Sequence, residues 1–236
     1  MTNFEQTKKD LINIGLGFGI FLIYYILSNT IAVPLALFGI DASKLPTIIK
    51  SIYIIIYQFV ILGIIVFLAR KELKENLERF KKEKNNYFKE YFKYWFLLLG
   101  LMMLSNYIIM MITESGIANN EQSIRDTLQV NPIYTYIAGV IIAPFLEELV
   151  FRFGIRKIIK NNILFIIISG FIFGAMHVIG SAEVLSDYLY IIPYSIPGFV
   201  FAYIYVKSKN IFTSVSMHLF HNGLLMSLQF LLLLLG

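Results

Sequence analysis

Long, uninterrupted apolar runs dominate the pattern of hydrophobic and polar positions along this chain of 236 residues. Runs of about 18 or more apolar residues are long enough to cross a bilayer as helices. They contain no polar alternation, which excludes a membrane β-barrel. The pattern predicts an all-α, polytopic membrane helix bundle of about seven spans, at 11–38, 52–69, 94–112, 133–151, 163–179, 188–206 and 211–235.

The composition agrees with a membrane location. Hydrophobic residues make up 58% of the chain, charged residues make up 15%, and the mean hydropathy is +0.72. A soluble domain has about 25% charged residues, so a soluble enzyme and a disordered chain are both excluded. Cysteine is absent, which excludes disulfides, a thiolate nucleophile and thiolate metal ligands.

The basic residues predict the orientation of the chain. With a cytoplasmic N-terminus and seven spans, 17 of the 20 Lys and Arg residues fall in cytoplasmic segments, and only Lys44, Lys50 and Arg125 fall outside. The positive-inside rule therefore favours this orientation. Nine of the 17 lie within 70–93 among five Glu residues, which indicates a solvated helix at the cytoplasmic membrane surface and no nucleic-acid partner.

Ionisable residues divide the chain into two regions. The predicted spans of 1–131 contain none, whereas the spans of 132–236 contain several. A charge at membrane depth costs at least about 2.5–3.5 kcal/mol, so such residues indicate a functional site. We therefore predict an N-terminal region of membrane helices at 1–131, with a charged cytoplasmic segment near 70–93, and a functional core at 132–236.

Two adjacent glutamates in the fourth span are predicted to have different roles. Glu148 and Arg152 are four residues apart and share a helical face, so each can neutralise the other. Glu147 is rotated by about 100° from Glu148 and has no partner on its own helix. An unpaired carboxylate beside a cavity suits a general base. Pro144 can kink the helix and open space beside Glu147.

Polar residues in two later spans complete the candidate site. Phe173 and His177 share a face of the fifth span, where Gly170 and Gly174 permit close helix packing. His218 and Asn222 share a face of the seventh span. We expect His221 to be rotated away from this face and to have a structural or interfacial role.

These residue types suit acyl transfer to water. Glu147 with His177 can bind and activate a water molecule, while His218 and Asn222 can donate hydrogen bonds to an oxyanion. Each residue alone also has a structural interpretation, above all the Glu148–Arg152 pair, and a membrane histidine is often a helix–helix hydrogen bonder. The combination on three separate spans favours catalysis.

The three motifs GluGluxxxArg at 147–152, PhexxxHis at 173–177 and HisxxxAsn at 218–222 resemble those of the CPBP intramembrane proteases, the CAAX-processing and bacteriocin-processing (Abi) family. The resemblance covers roughly 133–226. It implies membrane helices around a cavity open to the cytoplasmic leaflet of the cell membrane. It also implies Glu147 as general base with His177, an oxyanion site at His218 and Asn222, and a supporting Glu148–Arg152 pair.

No cofactor is expected, because a water-activating Glu/His pair needs no metal. If a divalent metal such as zinc is present, its ligands would be Glu147, His177 and His218. The predicted partners are a peptide or protein substrate at the membrane and the bilayer itself. Two other functions stay open: a non-catalytic scaffold, immunity or regulatory protein that binds a peptide with the same cluster, and a small proton-coupled transporter.

The predicted span boundaries conflict with this site. Glu147 lies four residues from the inner end of its predicted span, whereas His177 lies fourteen residues from the inner end of its own. At 1.5 Å per residue the two would differ in depth by about 15 Å. We therefore expect the fourth span to continue past Arg152, the fifth to start nearer Phe165, or both helices to tilt.

Overall fold

A computed structural model describes residues 3–113 and 116–235, and this part of the chain is helical almost throughout, without a β-strand. Short 3-10 helices at Ala42–Lys44 and Leu185–Tyr190 lie between the longer elements. The α-helices, numbered in chain order, are α1 Asn3–Asn29, α2 Val33–Leu37, α3 Thr47–Tyr91, α4 Lys93–Thr113, α5 Asn119–Val130, α6 Pro132–Ile158, α7 Asn162–Val178, α8 Ile191–Ser208 and α9 Ile211–Leu235.

The predicted class, a polytopic helical membrane bundle, is confirmed. Within the described residues six helices are long and apolar enough to cross a membrane, namely α1, α3, α4, α6, α9 and the segment Leu185–Ser208 that contains α8. The remaining predicted span, the fifth at 163–179, corresponds to α7, which is apolar but has only 17 residues. Its length of about 26 Å is slightly less than the roughly 30 Å of a hydrocarbon core.

The first predicted span is wrong at its C-terminal end, because α1 stops at Asn29 instead of continuing to Phe38. The side chains of Asn29 and Thr30 donate hydrogen bonds to carbonyls of the last turn, at 2.7 and 2.8 Å. Such local bonds compete with helix continuation. A turn then leads into the short helix α2, which has Pro34 in its first turn.

Helix α3 runs without interruption from the second predicted span through the charged segment. Its 45 residues extend over about 68 Å, more than twice the thickness of a hydrocarbon core. The charged half is helical, as predicted, but it also packs on the rest of the molecule. Asn76 is buried; its side-chain oxygen accepts from the Ile211 amide at 3.3 Å, and its carbonyl accepts from Asn210 at 2.8 Å.

Helix α6 is irregular in two places. It contains π-helical segments at Ile137–Ile142 and Glu148–Gly154, separated by the α-helical turn Ala143–Glu147. A π-helical turn pairs residues five apart and is frequent at functional sites. In the first segment the carbonyl of Gly139 would pair with the amide of residue 144, but Pro144 has no N–H. That carbonyl instead accepts a hydrogen bond from the side chain of Asn222 at 2.9 Å.

Helices α7 and α8 pack in close contact, as the small residues predict. A methyl group added to Gly174 would lie 2.7 Å from the Ile191 carbonyl, and one added to Gly198 would lie 2.6 Å from the Gly170 carbonyl. No side chain larger than hydrogen fits at these crossings. This contact fixes the position of His177, which lies one turn beyond Phe173 at the C-terminal end of α7.

Candidate functional site

The two adjacent glutamates of α6 have different surroundings. The side chain of Glu147 is 14% exposed and lines a cavity, whereas the side chain of Glu148 is fully buried. Glu147 ends an α-helical turn and Glu148 begins the second π-helical segment. The rotation of about 100° between neighbouring helical residues therefore separates one carboxylate in a cavity from one in the packed interior.

Glu148 and Arg152 form a buried ion pair. Arg152 Nη1 lies 3.2 Å from Glu148 Oε1, and neither side chain is exposed. The Ser214 hydroxyl also donates to Glu148, and Arg152 Nη2 donates to the Gly198 carbonyl at 3.2 Å. The Arg152 guanidinium lies over the ring of Phe173, 4.3 Å from its centroid. A buried charge needs both a partner and further hydrogen bonds, and this arrangement supplies them to the carboxylate.

His177 faces Glu147 across a short gap. Its Nδ1 is 2.7 Å from the Phe173 carbonyl, which assigns the Nδ1 proton and leaves Nε2 toward the cavity. The distance from Nε2 to Glu147 Oε2 is 4.0 Å. Its ring packs between Phe173 and Tyr194, with centroid distances of 4.4 and 5.2 Å.

His218 lies between the two glutamates. Its Nδ1 is 2.9 Å from Glu148 Oε1, and its Nε2 is 3.7 Å from Glu147 Oε2. The imidazole stacks on Phe201 with a centroid distance of 4.7 Å. His218 thereby links the buried ion pair to the cavity.

Asn222 lines the same cavity as His218, as their spacing predicts. One N–H of its side-chain amide is used by the Gly139 carbonyl, which leaves the second N–H and the amide oxygen. The expectation that His221 faces elsewhere is wrong, because His221 is buried and also lines this cavity. A residue three positions after His218 is rotated by about 300°, which is only 60° in the opposite sense.

Sequence reasoning missed two polar contacts of the site. Ser214 lies four residues before His218 and thus on the same helical face, a signal that was available. Tyr194, which packs on His177, has no local signal because its position depends on the packing of α7 against α8.

The predicted depth conflict between Glu147 and His177 is resolved by the longer α6, which continues to Ile158.

The cavity has a volume of about 500 Å³. It extends from Glu147 along the second half of α4 and the C-terminal half of α9 to α5. The predicted cytoplasmic segments lie at the opposite ends of these helices. The expectation of a cavity open to the cytoplasmic leaflet therefore conflicts with the positive-inside orientation.

The side chains expected to bind a divalent metal, if one is present, lie slightly farther apart than tetrahedral zinc ligands do. Two tetrahedral zinc ligands at about 2.0–2.2 Å from the ion are about 3.4 Å from each other, whereas Glu147 Oε2 is 4.0 and 3.7 Å from the Nε2 atoms of His177 and His218. Among the residues that the structure describes, no group of three or more His, Asp or Glu side chains is arranged to hold a metal ion.

Fold and site together define a polytopic helical membrane protein with a Glu/His pair in an intramembrane cavity. Residues 129–224 match the family described as Type II CAAX prenyl endopeptidase Rce1-like. The resemblance to the CPBP intramembrane proteases is confirmed over this part of the chain.

Two curated relatives also match. The Bacillus subtilis protein named "Putative membrane peptidase YdiL" is 31% identical over 119 residues, which cover 48% of this chain and 43% of the relative. The Lactococcus lactis "UPF0177 protein YvdC" is 30% identical over 136 residues, which cover 56% of this chain and 50% of the relative. The matched part of this chain thus spans half or less of the length of each relative. No solved structure matches the chain significantly.

Proposed function

We propose that this protein is an intramembrane endopeptidase of the cell membrane. It hydrolyses a peptide bond of a membrane-associated peptide or protein by attack of a water molecule. The observation that carries the proposal is the 4.0 Å gap between Glu147 Oε2 and His177 Nε2. The gap is too long for a direct hydrogen bond, and a water between the two groups can bond to both.

In the proposed mechanism Glu147 accepts a proton from this water as its oxygen attacks the scissile carbonyl carbon. His177 orients the water through Nε2, while its Nδ1–H donates a hydrogen bond to the Phe173 carbonyl. The C–N bond then breaks, and Glu147 returns the proton to the leaving amine. General acid–base catalysis of this kind contributes about 10²- to 10⁴-fold to the rate.

His218 and Asn222 stabilise the oxyanion in this proposal. In this role Nε2 of His218 donates into the cavity while Nδ1 stays beside Glu148, and Asn222 contributes the N–H that Gly139 does not use. Donors held in place before the reaction stabilise a developing charge most effectively. The Glu148–Arg152 pair holds His218 in this orientation.

The test is comparative peptidomics of cells that carry the wild type, Glu147→Gln or the control Glu78→Gln. Glu78 is an exposed glutamate of α3. We expect Glu147→Gln to accumulate in membranes at the wild-type level and to lose the cleavage products, whereas the control keeps them. Full activity of Glu147→Gln would overturn the assignment. Complementation by this variant without cleavage would favour the scaffold function instead.

A further inference from the structure

The cavity occupies one side of the helix bundle. From α4 it is lined by Met102, at the middle of that helix, and by Asn106 and Met110, in the half farther from Lys93. From α9 it is lined by residues between 218 and 232, away from the helix start at Ile211. Helix α5 contributes further lining residues, including Ile124. The cavity thus extends from the catalytic pair toward the end of the bundle at which α5 lies.

Lys44 and Lys50 lie near the start of α3, at the same end of the bundle as Arg125 of α5, but most of the basic residues lie at the opposite end. They occupy the C-terminal half of α3, the start of α4, the end of α6 and the link between α8 and α9. The segment 116–131, which includes α5, contains only Arg125. Because Lys and Arg accumulate in cytoplasmic loops, the end of the bundle with α5 is the non-cytoplasmic one.

Helix α5 lies across this end of the cavity and is attached at several points. Leu128 is buried against Val140 and Met226. Glu121 accepts hydrogen bonds from Arg125 at 2.9 Å and from Gln229 of α9 at 2.5 Å. These contacts make α5 an amphipathic cover with an ion pair beside the cavity.

We propose that the substrate chain reaches Glu147 from the non-cytoplasmic side of the membrane, through the space between α4, α5 and α9. This inference rests on the proposed endopeptidase function. The substrate class that fits is an apolar peptide segment in the outer leaflet, or one that has already crossed the membrane. The lining agrees, because Met102, Met110, Ile124, Leu225 and Leu232 supply apolar surface along the path.

The absence of native cysteine makes single-cysteine labelling a direct test. Ser123→Cys places a thiol on the exposed face of α5, and Lys82→Cys places one on the exposed charged half of α3. With a membrane-impermeant maleimide on intact cells, we expect Ser123→Cys to be labelled and Lys82→Cys to be labelled only after permeabilisation. The reverse result would overturn the proposed side of entry.

A second pair of variants tests the path itself. Leu225→Cys lies in the cavity, whereas the adjacent Leu224→Cys is partly exposed but does not line it. We expect a small, charged, impermeant methanethiosulfonate added outside to modify Leu225→Cys at least tenfold faster than Leu224→Cys. Faster reaction of Leu225→Cys in inside-out vesicles than in intact cells would refute the path. Neither measurement depends on catalysis, so a failed endopeptidase assay leaves both interpretable.

Discussion

Glu147 and Glu148 are neighbours in sequence and opposites in environment. Glu147 and His177 form a cavity pair, partly exposed and separated by a gap that a water can fill. Glu148 and Arg152 form the buried ion pair, fully enclosed and bonded to groups of α8 and α9. The comparison shows that two carboxylates at membrane depth can have different roles. One carboxylate is left free to react, and the other is neutralised so that it keeps the surroundings rigid.

Breaking the buried ion pair has the largest expected effect, a loss of stability. Arg152→Met removes the cation and leaves the Glu148 carboxylate without its ion-pair partner, which should lower the free energy of unfolding by about 3–5 kcal/mol. Thermal unfolding in detergent and the amount of protein in membranes measure this loss. The double variant Glu148→Gln/Arg152→Met removes both charges and should recover part of it. A double variant no more stable than Arg152→Met would contradict a role in charge neutralisation.

Changing the cavity pair should affect activity and leave stability nearly intact. His177→Ala removes the Nε2 atom that orients the water, so the cleavage rate should fall by about 10²-fold or more. The unfolding temperature should stay close to that of the wild type, because the side chain is 23% exposed. Cleavage of a substrate identified by peptidomics gives the rate. A His177→Ala variant that unfolds as readily as Arg152→Met would erase the distinction between the two pairs.

The smallest expected effect belongs to Ser214, which donates to the buried carboxylate. Ser214→Ala leaves one acceptor position of Glu148 unsatisfied, at a cost of about 1–3 kcal/mol. The neighbouring Ser208→Ala, at the end of α8, serves as the control for a polar group at a helix terminus. The unfolding temperatures of the two variants measure the difference in stability. Equal stability of Ser214→Ala and the wild type would show that the ion pair does not need the hydroxyl.

The sequence was sufficient for features that depend on local spacing. Apolar runs located the membrane helices, and the four-residue spacing of Glu148 and Arg152 predicted their contact, which the structure contains. The short helix α5 was not predicted, because its position depends on contacts with α6 and α9. The π-helical segments of α6 were also missed, since the apolar pattern does not distinguish a five-residue from a four-residue pairing.

The hydrogen bond between Asn222 and the Gly139 carbonyl makes two distant positions mutually dependent. The amide of Asn222 replaces a backbone donor that Pro144 lacks. Substitution of Asn222 alone leaves the Gly139 carbonyl without a hydrogen-bond donor inside the membrane. In a variant whose residue 144 has its own N–H, the same substitution leaves that carbonyl with a donor. The two changes should therefore be non-additive in a double-mutant cycle. The candidate oxyanion residue is thus constrained by the backbone of another helix as well as by chemistry.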